Sequence, residues 1–188
     1  MSVQMSWTLQ QAGWLWSHLT VGEWEADFNY GWCADFPKDL LAAVTALLDL
    51  DVPGEDAVPH FAAGVWEPAE DRWTLARTGE TLHITIDRFP DGRKSGTAGE
   101  RTELTCSPAD FGAALLDSLT DLLTVHGLAG YALNWGGDFP ISRYLQLLAW
   151  RRGRPLARRG LEHQGEHAWA TDWREELRLM DAEQTNIR

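Results

Sequence analysis

Apolar and polar residues alternate from Trp7 to Gly31. In "GEWEADFNY", Trp24, Ala26, Phe28 and Tyr30 fall on one side and Glu23, Glu25, Asp27 and Asn29 on the other, the period-two pattern of a half-buried strand. The preceding "GWLWSHLT" is its predicted hairpin partner, turning near Val21 and Gly22. A helical period follows in "PKDLLAAVTALLDL", where Leu40, Leu41, Val44, Leu47 and Leu48 recur on one face with no breaker after Pro37. Next come "HFAAGVWEP", "DRWTLART" and "TLHITIDRF", rich in β-branched and aromatic residues and predicted to form an antiparallel meander. Leu82, Ile84 and Ile86 alternate with Thr81, His83, Thr85 and Asp87, so one side of the last of these strands faces the core. "PDGRKSGTAGE" reads as a loop and "RTELTC" resumes extended structure.

The second half of the chain is helical in period. In "SPADFGAALLDSLTDLLTVHG", Ser107 supplies a capping oxygen, Pro108 fits the first helical position, and Asp110 complements the positive helix start. Phe111, Leu115, Leu119, Leu122 and Leu123 give an apolar stripe, and Gly127 stands where a left-handed stop belongs. "GYALNW" is predicted as a last strand, "PISRYLQLLAWRRG" as a third helix and "TDWREELRLMDAEQ" as a shorter fourth with Thr171 as its cap. The pattern predicts an α+β fold: an antiparallel β-sheet of about five to seven strands, with three to four helices packed against it. At 188 residues the chain allows one full-sized core, expected over residues 1–160, with a C-terminal helical extension over 161–188 packed on the same domain.

Trp-x-x-Asp-Phe-Pro occurs twice, at Trp32–Pro37 and Trp135–Pro140, each time ahead of an apolar helical segment. Proline is tolerated in a first helical turn, Asp35 and Asp138 can accept free amides there, and Phe36 and Phe139 can pack back as staples. The tryptophans are assigned to the core. The motif therefore reads as two helix starts.

Composition is that of a globular chain, with 44% hydrophobic and 23% charged residues. Apolar runs are too short for a membrane-spanning helix and the opening residues lack a signal-peptide pattern, so a cytoplasmic location is expected. Cys33 and Cys106 fit neither a disulfide framework nor a zinc spacing and are expected to be reduced, buried thiols.

Charge changes the picture more. The net charge is −12, and residues 1–71 hold twelve acids against Lys38 alone, whereas the last segment, 143–188, is slightly basic. Phosphate binding needs Lys and Arg, which argues against a nucleic-acid partner for the N-terminal part and for a basic protein. On the predicted strand, Glu23, Glu25 and Asp27 form a carboxylate row at a spacing of roughly 7 Å. Candidate partner-binding residues are these three with Asp35, Glu67, Glu70 and Asp71, and with Trp24 and Trp66 as aromatic anchors.

Catalytic constellations are sparse. "HQGEH" fits the His-x-x-Glu-His pattern of inverted zinc peptidases, in which two histidines share a helical face and a glutamate handles the water proton. His163, Glu166 and His167, with Glu162 beside them, are thus candidate zinc ligands, although Gly165 weakens a helix there and only 21 residues follow. Otherwise no cofactor is indicated: phosphate loop, dinucleotide fingerprint and nucleophile elbow are all missing from the sequence. "RRGRPLARRG" gathers Arg151, Arg152, Arg154, Arg158 and Arg159, which suit either a phosphate contact or a helix C-terminus lying over the acidic half of the chain.

"WTLQQAGW", "FPKDLLAAVTALL", "WEPAEDRWTLAR" and "ETLHITIDRF" resemble segments of a group of small actinobacterial proteins, in which a Trp- and Gly-rich hairpin leads to a helix and a Glu-Pro-containing meander. The likeness covers about half the chain and implies an α+β fold without catalytic residues. In size, acidity and layout the chain also resembles immunity proteins of polymorphic toxin systems, which implies binding and occlusion of a toxin. The leading expectation is a non-enzymatic interaction protein with an acidic face for a basic protein partner. A small metal-binding protein or hydrolase centred on His163, Glu166 and His167, and a homo-oligomeric scaffold such as a homodimer, are the alternatives.

Overall fold

The computed structural model describes residues 2–10, 12–48, 60–91, 99–154, 156, 159–163 and 166–185. Seven strands, β1 (Val3–Gln10), β2 (Trp14–Val21), β3 (Trp24–Gly31), β4 (His60–Trp66), β5 (Ala69–Thr78), β6 (Thr81–Phe89) and β7 (Glu100–Cys106), form one antiparallel sheet in chain order. Helices α1 (Phe36–Leu47) and α2 (Pro108–Trp135) complete a compact unit over Met1–Pro140. A second unit, Ile141–Arg188, contains α3 (Ile141–Arg151), the hairpin β8 (Arg159–His163) and β9 (Glu166–Ala170), and α4 (Trp173–Thr185). The α+β class is the expected one, and the division falls before α3 where the sequence pattern suggested 160/161.

Period-two patterning sets the sheet. Leu15, Leu19, Phe28, Tyr30, Trp73, Leu75, Leu82 and Ile84 are buried on one face, while the intervening residues point away. Gly22 (φ 64°) and Gly79 (φ 57°) close the two-residue β2–β3 and β5–β6 turns with the left-handed backbone that such tight hairpins need. On the buried face, α1 packs against β4 and α2 against β1. Phe36, the first residue of α1, centres an aromatic cluster, with its ring centroid 4.4 Å from Tyr30, 5.4 Å from Trp73 and 6.2 Å from Trp7.

The sheet is not uniformly laddered. Strands β5 and β6 pair continuously from Glu70–Phe89 to Thr78–Thr81, but β3 and β4 share a single bridge, Gly31–Val65. Tyr30 lies over β4 next to that bridge. A Cβ on Gly64 would come within 2.2 Å of the Tyr30 ring, so glycine is what permits the approach.

Several local expectations change. Gly127 (φ 65°, ψ 175°) breaks the helical backbone at the expected stop, but "GYALNW" is helix rather than strand: a second helical segment of α2 with buried Tyr131 and Trp135 continues beyond the break. The left-handed stop falls at Gly136 (φ 86°). Ser107 does cap α2, accepting from the Asp110 amide at 3.3 Å, whereas Asp35 makes no side-chain cap on α1. The α4 cap is Asp172, whose Oδ1 accepts from the Arg174 amide at 2.9 Å; the Thr171 hydroxyl bonds Glu176. Substituting Gly64→Ala is expected to lower stability by about 1–3 kcal/mol through overpacking against Tyr30, measured by chemical denaturation; an unchanged midpoint would mean that the ring can move aside.

Candidate functional site

Two features of the Met1–Pro140 unit stand apart from its core. The first is the outer face of β2 and β3. Register places Trp16 opposite Asn29, His18 opposite Asp27 and Thr20 opposite Glu25, all on the side away from the helices. Trp14 and Trp16 are both exposed there, and Glu23, Glu25 and Asp27 are exposed along β3 and its leading turn. Asp27 Oδ1 meets His18 Nδ1 at 2.8 Å. Trp32, 65% exposed, follows β3 and packs its side chain against Gly13, and its amide donates to the Gly13 carbonyl at 2.9 Å. Phe61 of β4 is also exposed.

The second feature is a buried polar chain that leads to a groove. Asp71, 1% exposed, receives Arg88 Nε at 2.9 Å and Arg88 Nη2 at 3.2 Å, a bidentate charge-assisted pair. The Tyr30 hydroxyl donates to Asp71 Oδ2 at 3.4 Å and accepts from Trp73 Nε1 at 3.0 Å. Burial first, and the Asp71 carboxylate second, push the Tyr30 phenol well above its ordinary range; the Asp71 bond in turn raises Arg88. The Arg88 guanidinium lies 6.0 Å from the Phe28 ring centroid and 5.9 Å from that of Trp66. Its outer side reaches a groove of about 170 Å³ between β3 and the β6–β7 pair. It is lined by Trp24, Glu25, Ala26 and Phe28 of β3, Ile86 and Arg88 of β6, and Glu100 and Thr102 of β7.

The nine residues expected to contact a partner therefore separate. Glu23, Glu25, Asp27 and Glu67 are exposed, Trp24 is half-buried in the groove, and Trp66 is 39% exposed. Glu70 and Asp71 are corrections: both are buried and matched within the fold, Glu70 by Arg72 Nε at 2.7 Å and Asp71 by Arg88, so neither is a surface acid. Asp35 is half-buried and accepts from Trp135 Nε1 at 3.2 Å. Sequence reading missed Trp14, Trp16, Trp32 and Phe61. For Trp14 and Trp16 the signal was present, since they alternate with Leu15, Ser17 and Leu19 and must take the opposite face.

Cys33 is exposed, contrary to expectation, because it sits in the turn after β3; Cys106 is buried, and burial raises its thiol to about 11. The "HQGEH" segment is not helical. His163 ends β8 and Glu166 begins β9, with His163 paired to Glu166 and Glu162 to His167, so the shared helical face that the zinc reading required does not exist. Gln164, Gly165 and Arg158 lie outside the described residues, and among those described no cluster of three or more His, Cys, Asp or Glu is arranged to hold a metal. In the second unit, Arg152 Nη1 donates to the Leu179 carbonyl at 3.3 Å, linking α3 to α4. None of the described helices is long and apolar enough to cross a membrane. No protein-family model matches this chain, and no curated protein is significantly similar to it.

Alkylation of the native protein at pH 8 should modify Cys33 and spare Cys106, with both reacting after unfolding; labelling of Cys106 in the native state, read by peptide mass, would contradict its burial. Tyr30 also predicts an alkaline effect. Its folded pKa lies above the unfolded value of 10.0, so its contribution is intact below that pH and is lost as pH rises toward the folded value. For one such proton the loss is about 1.4 kcal/mol per pH unit. The stability gap between the wild type and Tyr30→Phe should be constant below about pH 10 and narrow above it; a constant gap at all pH values would count against the burial of this hydroxyl.

Proposed function

We propose that the Met1–Pro140 unit is a non-enzymatic binding module whose outer β2–β3 face receives a basic protein. The observation that carries this reading is that exposed Glu25 and Asp27 share the outer sheet face with exposed Trp14 and Trp16, with exposed Glu23 in the adjoining turn. Carboxylates would steer a cationic partner and set its orientation, and the indoles would supply most of the contact energy on desolvation. Charge favours this partner class over nucleic acid, because phosphates would meet a surface of the same sign. A toxin held and occluded by this face is the specific partner suggested by the resemblance to immunity proteins. The metal reading has lost its geometric premise at His163 and His167.

The experiment immobilises the full chain, passes lysate of the native host at low and moderate salt, identifies what elutes and measures its affinity for purified variants. A basic protein released by rising salt is expected, with binding weakened about tenfold or more by Trp16→Ala and by combined Glu23→Gln and Asp27→Gln. An acidic partner, a second copy of this chain, or affinity untouched by these substitutions would overturn the assignment.

A further inference from the structure

The groove between β3 and the β6–β7 pair shares Glu25 with the outer sheet face but is otherwise built differently. Trp24, Phe28 and Ile86 line it together with Glu25, Arg88 and Glu100, so aromatic and charged groups share one surface. Among the described residues that line it, the one cationic group, Arg88, is already matched by the buried carboxylate of Asp71, which binds it through two nitrogens. The Glu25 and Glu100 carboxylates accept no hydrogen bond among the described residues, and Glu100, opposite Arg88 in the β6–β7 ladder, adds its charge to the field at that guanidinium. The balance of charge around the groove is therefore negative. A ligand carboxylate or phosphate would face three carboxylates to reach one compensated guanidinium, whereas a cation would meet two open carboxylates and the faces of aromatic rings.

Size narrows the occupant further. A volume of about 170 Å³ is several times the roughly 30 Å³ a water occupies in the liquid, enough for one long side chain and too little for a folded element. We infer that this groove is the receptor for a single cationic side chain, an arginine or lysine, of the basic protein that the neighbouring sheet face binds. The methylene stem would lie between Trp24 and Ile86, and the guanidinium or ammonium would reach Glu25 and Glu100. A guanidinium fits better than an ammonium, because its planar fork can engage a carboxylate through two bonds and stack on the indole. The inference rests on the basic-partner reading for its biological occupant, but the groove itself can be tested without that partner.

The test titrates the full-length protein with Nα-acetyl-arginine amide, its lysine counterpart and Nα-acetyl-norleucine amide. It follows indole N–H resonances by NMR, with the Trp24 signal assigned from Trp24→Phe. Saturable binding of the arginine probe that moves the Trp24 signal is expected, with the lysine probe weaker and norleucine weaker still. Combined Glu25→Gln and Glu100→Gln should weaken the arginine probe about tenfold, while amide spectra show the fold intact. Glu100→Gln alone, which leaves the outer face unchanged, should lower affinity for the captured partner as well. Equal binding of norleucine, saturation that leaves Trp24 unmoved, or insensitivity to the double substitution would overturn the inference. Loss of partner capture with retained arginine-probe binding would instead count against the outer-face reading alone.

Discussion

The Tyr30 hydroxyl, bonded to Asp71 and Trp73, ties together a sheet whose backbone nearly parts. Between β3 and β4 the ladder has one bridge, so main-chain hydrogen bonds do little to fix β1–β3 against β4–β7. Side chains take over: Tyr30 of β3 bonds Asp71 and Trp73 of β5 across the weak junction, and Arg88 of β6 matches the charge of Asp71 on the far side. A carboxylate as buried as Asp71 is tolerated only when its charge and lone pairs are matched, and removing any partner leaves the others costly. Arg88 remains half-exposed, so the pair is worth less than a fully buried one, but its geometry is specific. The same guanidinium that satisfies Asp71 lines the groove. Asp71 thus connects the sheet junction, through Tyr30, to the groove, through Arg88.

Around that junction the aromatic cluster explains why α1 follows β3 directly. Phe36 sits within 4.4 Å of Tyr30 and 5.4 Å of Trp73, so the first helical residue is packed against the two rings that carry the polar chain. Pro37 and the apolar stripe of α1 then cover β4, while α2 covers β1. Apolar burial supplies the driving force and the polar chain supplies registration, a division that fits a core with few buried charged groups.

Much of this architecture was legible because it rests on local periodicity. The alternation in β3 and β6 and the three-to-four spacing in α1 and α2 gave element type, and Gly22 marked the hairpin that joins β2 to β3. What was not legible depended on pairing across the sequence. Nothing local distinguishes Glu70 and Asp71 from Glu67, yet the first two are matched by Arg72 and Arg88 and the third is exposed. Gly127 does interrupt the helix, but helix resumes after it, because Tyr131 and Trp135 continue the buried face and tertiary burial outweighs the strand pattern of "GYALNW". Likewise His163, Glu166 and His167 have a helical spacing, and the strands β8 and β9 give that spacing a different geometry.

The duplicated Trp-x-x-Asp-Phe-Pro motif shows how far a local reading can be right in outline and wrong in role. Phe36 and Phe139 are both buried at helix starts, as staples should be, the latter edge-on to Tyr131 at 5.1 Å. The tryptophans, however, diverge: Trp135 is in the core and Trp32 is exposed. Asp35, freed from capping α1, accepts the indole N–H of Trp135 at 3.2 Å, so a residue of the first motif satisfies a residue of the second. A buried indole needs an acceptor, and the carboxylate that would otherwise cap its own helix provides one. Trp32 is exposed, and its ring packs on Gly13. The motif therefore leads into two helices, with Phe36 and Pro37 inside the first turn of α1 and Phe139 and Pro140 just ahead of α3, while one of its tryptophans is in the core and the other on the surface.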